Sequence, residues 1–315
     1  MDAAQHRTLR LGTRGSPLAL VQTRAVLARL RDAAPGQDFA EQIIATTGDN
    51  VQDRPLAEIG GKGLFAKEIH EALADGRVDA AVHSLKDLET VLPPGLAFVA
   101  ALPREDARDV LVLGPGCGVP DAADPLAALP HGASVGTSSP RRQAQLLHAR
   151  PDLRVVLLRG SVQTRLARVR NGDMHATLLA LAGLRRLGME DAASMVLAPE
   201  TLLPAACQGI IGVTARAADA PVCALLATFT DRDAMLAATA ERALLGVLDG
   251  SCRTPIGAQA RLLPDGTLHL VALVARPDGS FLLRRDIAGP AAEAAALGAE
   301  LGRGLRADCP PDLFA

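Results

Sequence analysis

The sequence predicts an α/β protein that ends in a smaller α+β domain, and three observations lead to this fold class. Over the first two thirds of the 315 residues, short β-rich runs alternate with helical patterns, which is typical of a mostly parallel α/β sheet. After about residue 228 the pattern changes to one helix followed by three strand-like runs. Two segments of the first third are also echoed, in the same order, further along the chain.

The α/β part predicts strands and helices in alternation. The candidate strands are residues 8–14, 40–46, 78–83, 96–101, 110–113, 133–137, 154–158, 176–180 and 209–215. The candidate helices lie near residues 17–34, 63–75, 140–149 and 162–170. In the last of these, Val162, Leu166 and Val169 fall at i, i+4 and i+7, which predicts one buried stripe. Residues 114–132, rich in Gly, Pro and Ala, are interpreted as a loop insertion.

The last part of the chain is predicted to form an antiparallel sheet, with one helix before the strands and one helix after them in the sequence. A helix runs from Asp231 to about residue 248, and a closing helix follows Pro290. Between them, Pro-Asp-Gly turns separate three strand-like runs, which are residues 256–263, 267–275 and 281–287. Short strands joined by such turns favour antiparallel pairing.

The echo suggests that the α/β part contains two similar domains. Residues 11–17 (LGTRGSP) and 135–140 (VGTSSP) both read as a strand, a turn and a Ser-Pro helix start. Residues 76–82 (GRVDAAV) and 172–178 (GDMHATL) also resemble one another. Because the two pairs keep their order, the sequence predicts two related α/β domains that face one another across a crevice.

Composition excludes several classes of function. The net charge is −2 and the chain has no Trp and no Tyr, so it lacks both the charge and the aromatic platforms that bind nucleic acid. Its five cysteines form no CxxC pair, which argues against a disulfide framework or a zinc site. No run approaches the ~18 apolar residues of a membrane span, and the N-terminus lacks an apolar signal region. We therefore expect a cytoplasmic protein without a metal site.

Two adjacent arginines predict an anion site at a helix start. Ser139 and Pro140 are good N-cap and first-turn residues, and Arg141 and Arg142 follow them directly. Cations at a helix N-terminus cost about 0.3 to 1 kcal/mol each, so stability alone does not explain them. With the free N–H groups of that turn they would form an anion cradle. The alternative is two solvated surface arginines.

Further arginines lie at other strand–helix junctions. Arg159 and Arg165 flank a glycine turn and Ser161, and Arg14 stands beside Ser16 in the corresponding loop of the first domain. Open α/β sheets bind ligands at the carboxyl ends of their strands, so these guanidinium groups would converge there. Guanidinium groups match carboxylates and phosphates equally well, and the sequence leaves the choice open.

The end of the strand 78–83 predicts the catalytic carboxylate. Asp87 follows His83 and Lys86 at the edge where the sheet delivers side chains to a cleft. The alternative role of Asp87 is to cap the next turn or to pair with Lys86. His83 is interpreted as structural, because no Ser or Cys nucleophile motif accompanies it.

Two loops carry a lysine and a cysteine that the chemistry could use. The stretch 60–65 (GGKGLF) lacks the GxxxxGK[ST] spacing of a P-loop, so a nucleotide site is not indicated and Lys62 belongs to a flexible turn. Cys252, flanked by Arg253 in a loop of small residues, is a candidate thiolate nucleophile. Its alternative, like that of the other cysteines, is an inert filler of apolar space.

Taken together, five motifs resemble the porphobilinogen deaminase (hydroxymethylbilane synthase) family. The motifs, colinear from about residue 8 to beyond residue 300, are RLGTRGSPLAL (10–20), GGKGLF (60–65), HSLKD (83–87), VGTSSPRRQ (135–143) and CRTPIG (252–257). The resemblance implies two domains similar to type II periplasmic binding proteins and a third α+β domain with a three-stranded antiparallel sheet. The implied boundaries are 1–102 with 209–228 for domain 1, 103–208 for domain 2 and 229–315 for domain 3.

The resemblance also implies an activity and a cofactor. Family members deaminate porphobilinogen, join four units head to tail onto a dipyrromethane primer, and release hydroxymethylbilane for haem and other tetrapyrrole biosynthesis. The primer is held through a thioether to a loop cysteine, here Cys252. Each pyrrole carries an acetate and a propionate, which accounts for a cleft built from arginines. A monomer is implied, with porphobilinogen as its small-molecule partner.

Residue roles follow from the matched motifs. Asp87 would stabilise the cationic azafulvene-like species formed as ammonia leaves, with Lys86 beside it. The implied cofactor-binding residues besides Cys252 are Lys62, Ser139, Arg141, Arg142, Arg159 and Arg165. The implied substrate-binding residues are Arg14, Ser16, Phe65 and Arg186. The chain departs from the family pattern at Thr47, Glu58, Glu89, Ser161, Cys207 and Ser251.

One other class of protein shares much of this pattern. A binding protein for small polycarboxylates would also use two α/β domains and arginines, without catalysis. It gives no reason for Cys252, and it normally requires the signal peptide that the N-terminus lacks. A covalent group on Cys252 separates the two hypotheses.

Overall fold

The computed structural model describes residues 7–50, 65–248 and 255–314, without the side chains of residues 49 and 50. These residues form two compact units. The first unit contains residues 7–50, 65–104 and 210–235. The second contains residues 105–209, 236–248 and 255–314. In the described ranges, no helix combines the length and the apolar character that crossing a bilayer requires.

The first unit alternates strands and helices as predicted. Its elements up to residue 101 are β1 (Leu9–Thr13), α1 (Pro17–Ala33), β2 (Phe39–Ile43), α2 (Thr47–Asn50), α3 (Lys67–Ala74), β3 (Ala80–Ser84) and β4 (Leu96–Ala101). Helix α1 begins at Pro17 because the Ser16 hydroxyl accepts a hydrogen bond from the Ala19 N–H at 3.3 Å. Its buried face includes Val26, Leu27 and Leu30.

The second unit continues the alternation. Its elements up to residue 196 are β5 (Asp109–Leu113), β6 (Ser134–Gly136), α4 (Pro140–Ala149), β7 (Arg154–Val156), α5 (Val162–Arg170), β8 (Ala176–Ala180), α6 (Leu181–Arg186) and β9 (Met195–Val196). Leu166 and Val169 of the predicted stripe are buried, and Val162 packs against the same core. A short 3-10 turn, Pro125–Ala128, lies inside the predicted loop insertion.

The two α/β sheets have the same topology, which confirms the predicted internal repeat. Strand β10 (Ile211–Arg216) completes the first sheet, whose order is β2-β1-β3-β10-β4, and the second sheet has the order β7-β6-β8-β5-β9. The registers also correspond: Leu11 pairs with Ala80 in one sheet, and Val135 pairs with Ala176 in the other. The fold class is therefore as predicted.

Both sheets are mostly parallel, as predicted, but each contains one strand that runs against its neighbours. Strand β10 is antiparallel to β3 and β4, and β5 is antiparallel to β8 and β9. Each of these strands begins just after the chain has passed from one unit to the other, between Arg104 and Glu105 or between Gly209 and Ile210. Neither strand is preceded by the crossover helix that a parallel neighbour requires, so both run in the opposite direction.

The last part of the chain forms the predicted antiparallel sheet. After α7 (Ala220–Ala227) and α8 (Arg232–Leu248), strands β11 (Ile256–Leu262), β12 (Thr267–Ala275) and β13 (Leu282–Pro290) pair in sequence order. Helix α9 (Ala294–Asp308) covers the sheet, and Leu297, Leu301 and Leu305 contribute to the shared core. Strand β13 extends three residues beyond the predicted end at 287. This sheet belongs to the second unit, and the predicted boundary between domains 2 and 3 stays a prediction.

Cys207 has an unusual backbone conformation. Its φ of 62° makes it the one non-glycine residue with positive φ in the described ranges. Its side chain is buried, and its N–H donates a hydrogen bond to the buried Glu241 carboxylate. The left-handed conformation costs most L-residues about 1 to 2 kcal/mol.

We expect Cys207→Val to lower the free energy of unfolding by about 2 kcal/mol or more, because a β-branched residue fits the left-handed region poorly. Cys207→Gly is the control. It relieves the strain but loses a small buried side chain, so its stability should stay within about 1 kcal/mol of the parent. Urea denaturation measures both. If the valine variant were as stable as the parent, the backbone at position 207 would not be strained.

Candidate active site

Arg14 lies in the loop between β1 and α1, in the first unit. Its guanidinium carbon is 4.0 Å from the centre of the Phe65 ring, a cation–π contact. Ser16 caps the helix that follows the loop. The structure thus brings the predicted substrate-binding residues Arg14 and Phe65 into contact, with Ser16 two residues after Arg14 in the same loop.

Asp87 lies at the carboxyl end of β3, in a 3-10 turn that spans Leu85–Asp87. The turn is held on both sides of Asp87, since Leu85 and Leu88 are buried and the Leu85 N–H donates to the Ile210 carbonyl at 3.0 Å. The Asp87 side chain itself is exposed, and no described residue forms a hydrogen bond or an ion pair with its carboxylate. The carboxylate is therefore presented to solvent on a fixed backbone. Lys86 beside it is half-buried.

His83 is buried on strand β3, four residues before Asp87. Its Nε2 lies 2.9 Å from the Thr214 hydroxyl oxygen on β10. The centre of its ring is 5.9 Å from the centre of the His70 ring. Burial lowers the pKa of His70, and the nearby Glu89 opposes this shift. The hydrogen bond across the sheet agrees with the interpretation of His83 as a structural residue.

Arg141 and Arg142 lie in the first turn of α4, as predicted, but they are buried rather than solvated. Both guanidinium groups contact the carboxylate of Asp109, the first residue of β5, which is fully buried. Nη2 of Arg141 is 2.8 Å from Oδ2, and Nη2 of Arg142 is 2.6 Å from Oδ1. The guanidinium groups also donate to main-chain carbonyls, Arg141 to Leu203 at 2.6 Å and Arg142 to Leu178 at 2.8 Å. The structure excludes the alternative of two surface arginines.

The arginine pair carries more positive charge than its protein partner neutralises. Among the described residues, Asp109 is the one acidic group in ion-pair contact with either arginine, so the three groups sum to +1. Burial lowers the pKa of Arg141, Asp109 opposes this shift, and the neighbouring Arg142 adds to it. The Nε–H of Arg141 is buried and has no hydrogen-bond acceptor in the described part of the chain. An anionic ligand would supply both the missing charge and the missing acceptor.

The loop between β7 and α5 positions the next two predicted arginines. Gly160 has a φ of 106°, which a side chain would disfavour, and Ser161 caps α5 by accepting from the Thr164 N–H at 3.2 Å. Arg165 donates from Nε to the Gly160 carbonyl at 3.0 Å. Arg159 and Arg165 are half-buried. Serine at position 161 therefore supplies a helix cap, so this departure from the family pattern leaves the loop intact.

Arg186 lies at the end of α6 in the second unit. Its Nη2 donates to the Gly209 carbonyl at 2.5 Å, and burial lowers the pKa of its guanidinium group while Glu105 opposes the shift. The two units thus hold different predicted residues. The second unit contains Ser139, Arg141, Arg142, Arg159, Arg165 and Arg186, and the first contains Arg14, Ser16, Phe65, Lys86 and Asp87.

Two predicted site residues, Lys62 and Cys252, lie outside the described residues, as do Glu58 and Ser251. Sequence reasoning missed Asp109, which the two arginines share, and Gln208, which hydrogen-bonds to it. The arginine pair itself was the available signal, because two buried cations require a counter-ion. No local pattern identified which of the acidic residues supplies it.

Comparisons with known proteins assign the chain to a family. The family model described as "Porphobilinogen deaminase, dipyromethane cofactor binding domain" matches residues 9–224, and "Porphobilinogen deaminase, C-terminal domain" matches residues 235–307. Among solved structures, the periplasmic VFT2 domain of Bordetella pertussis BvgS is 18% identical, covers 72% of this chain and 88% of its own, and has a TM-score of 0.44.

Curated relatives match nearly the whole chain. The porphobilinogen deaminase of Paracoccus denitrificans is 49% identical over 308 residues, which cover 97% of this chain and 96% of that protein. The chloroplastic porphobilinogen deaminase of Oryza sativa subsp. japonica is 46% identical, over 97% of this chain and 85% of its own. The porphobilinogen deaminase of Roseiflexus castenholzii is 48% identical over 95% of both chains. With two family models that together match most of its residues, and relatives this similar along its length, the chain belongs to the porphobilinogen deaminase family and contains that family's dipyrromethane-cofactor-binding domain.

Proposed function

We propose that the chain is a porphobilinogen deaminase, a transferase of tetrapyrrole biosynthesis. It removes ammonia from porphobilinogen, joins four units head to tail onto a dipyrromethane primer bound to Cys252, and releases hydroxymethylbilane. We further propose that it works as a cytoplasmic monomer. Membership of the family and its cofactor-binding domain support the proposal.

The observation that carries the mechanism is the state of Asp87. Loss of ammonia from porphobilinogen leaves positive charge on the substrate, and this charge is stabilised by a carboxylate held in place beforehand. Asp87 is suited to this role because its turn is anchored by Leu85 and Leu88 while its carboxylate has no partner among the described residues. Within the part of the chain that the structure describes, no ion pair has to break before the carboxylate meets the substrate. Lys86, on the same turn, is proposed to assist it.

The arginines are proposed to bind the acid side chains of the pyrroles. Arg14, Ser16, Phe65 and Arg186 would hold the substrate, and the group around Arg141 and Arg142 would hold the cofactor together with Lys62, Ser139, Arg159 and Arg165. The residues fit an anionic cofactor, because the buried pair, taken with the described residues around it, has one positive charge in excess and one unused N–H. When bound, the cofactor supplies the carbon to which the first substrate unit is joined.

Intact-mass measurement of the purified chain tests the proposal. We expect a covalent adduct on the parent and on Cys117→Ala, which removes a cysteine remote in sequence from the cofactor loop, and no adduct on Cys252→Ala. Loss of the adduct should accompany loss of turnover. An unmodified parent from a host that makes tetrapyrroles would contradict the deaminase and favour a polycarboxylate-binding protein.

A further inference from the structure

The carboxylate of Asp109 is the centre of a buried network in the second unit. Its Oδ1 accepts from Nη2 of Arg142 at 2.6 Å, from Nε of Arg142 at 3.2 Å and from Nε2 of Gln208 at 3.0 Å. Its Oδ2 contacts Nη2 of Arg141 at 2.8 Å. Asp109 and Gln208 are 0% and 1% exposed. The orientation of both guanidinium groups therefore depends on the placement of one carboxylate.

Gln208 links this carboxylate to the two segments through which the chain enters and leaves the unit. Its Nε2 also donates to the Ala107 carbonyl at 2.7 Å, so both N–H groups of the amide are used. The adjacent Gly209 carbonyl accepts from Glu105 N–H at 3.1 Å and from Arg186 at 2.5 Å. Residues 105–109 and 207–209 are thus fixed to one another, and Asp109 cannot turn away from the arginines without breaking the Gln208 hydrogen bond.

A purely structural role explains this network poorly. Buried ion pairs contribute little net stability compared with apolar residues of similar volume, and an uncompensated buried charge is destabilising. Here two cations share one carboxylate, and the Nε–H of Arg141 has no acceptor among the described residues. A network built for stability alone would balance its charge and use each of its donors. The imbalance instead suits a site completed by a ligand carboxylate.

We propose that Asp109 and Gln208 are positioning residues for the cofactor-binding arginines. Asp109 reduces the charge of the pair to +1, which matches one ligand carboxylate, and it fixes the direction of both guanidinium planes. Gln208 holds Asp109 in the rotamer that does so. The inference rests on the proposed function of Arg141 and Arg142, and it adds that their ligand affinity depends on the neutral amide of Gln208, which hydrogen-bonds to the carboxylate of Asp109.

The experiment compares Gln208→Met with the parent and with a matched control. Methionine keeps the volume of Gln208 and removes both N–H donors. Thr177→Val is the control, because Thr177 is also fully buried in this unit and loses one hydrogen bond, to the Gly136 carbonyl at 2.8 Å, without touching Asp109. Three quantities are measured on the purified proteins: Tm, the fraction of chains that carry the covalent adduct, and kcat per adduct-bearing chain.

We expect both variants to lower Tm by a similar amount. Gln208→Met alone should also lower the adduct-bearing fraction to below about half and kcat per adduct-bearing chain by about tenfold. Losses of this size are expected when a hydrogen bond to a charged group is removed. Its KM for porphobilinogen should change less than about threefold, because the Gln208 side chain forms neither the Arg14–Phe65 contact nor the hydrogen bond from Arg186 to the Gly209 main-chain carbonyl.

Two outcomes separate the inference from the function on which it rests. If Arg142→Gln lowers the adduct fraction and kcat but Gln208→Met behaves like Thr177→Val, Gln208 has only a structural role and the inference is wrong. If Arg142→Gln itself leaves both quantities unchanged, the proposed role of the arginine pair is wrong, and the inference is lost with it.

Discussion

Asp87→Asn should reduce turnover at least about 100-fold and leave the fold and the covalent adduct intact. The loss follows because asparagine cannot offset the positive charge that develops as ammonia leaves, and removing one such preorganised group typically costs 10²- to 10³-fold. The fold should be unaffected, because the Asp87 carboxylate is exposed and has no partner among the described residues. Steady-state kinetics, Tm and intact mass measure the three expectations.

Asp75→Asn is the matched control for this change. Asp75 is an exposed aspartate that directly follows a helix of the same unit, and its carboxylate is 3.6 Å from Arg77. Exposed ion pairs of this kind contribute about 0 to 1 kcal/mol, so neither turnover nor Tm should change measurably. Turnover within threefold of the parent in Asp87→Asn would refute the role given to Asp87.

The second large effect is expected from Arg142→Leu. The substitution removes a guanidinium group that is 6% exposed and donates to Asp109 and to the Leu178 carbonyl. Breaking a buried pair by removing one partner typically costs about 3 to 5 kcal/mol, and Arg141 remains to limit the loss. We expect the free energy of unfolding to fall by about 3 kcal/mol, and primer binding to fall with it.

Urea denaturation and intact mass measure the two consequences. Arg168→Leu is the control, because Arg168 lies on helix α5 of the same unit and forms an exposed pair with Asp173 at 3.0 Å. Its loss should change stability by less than about 1 kcal/mol and leave the adduct in place. If Arg142→Leu were as stable as Arg168→Leu and every chain carried the covalent adduct, the buried network would neither stabilise the fold nor help to bind the primer.

Local chemistry made much of the fold predictable. The Ser-Pro starts at residues 16 and 139 fixed the beginnings of α1 and α4, because serine caps and proline in the first turn act within one helical turn of sequence. The Pro-Asp-Gly turns likewise separated β11, β12 and β13, with positive φ at Gly266 and Gly279. These features depend on neighbours in sequence, so no tertiary information was needed.

The remaining differences depend on contacts between residues far apart in sequence. The directions of β5 and β10 follow from where the chain passes between the units, which strand patterns do not encode. The burial of Arg141 and Arg142 depends on Asp109, more than 30 residues earlier in the chain. Short helices such as α6 were missed because Leu181–Arg186 is too short to show a period. Asp87 and the arginines could be proposed from the sequence because strand ends and helix starts identify the binding edge of an α/β sheet, and their roles stay predictions.

The central claim is that a chain of pyrroles grows on the protein and that each addition requires Asp87. The most direct measurement is intact mass of the parent and of Asp87→Asn, quenched at intervals after porphobilinogen is added. We expect the parent to show a series of heavier species, each separated by one porphobilinogen less one ammonia, while Asp87→Asn keeps the mass of the primed protein. A parent that turns over substrate at constant mass, or an Asp87→Asn variant with the same series at the same rate, would contradict it.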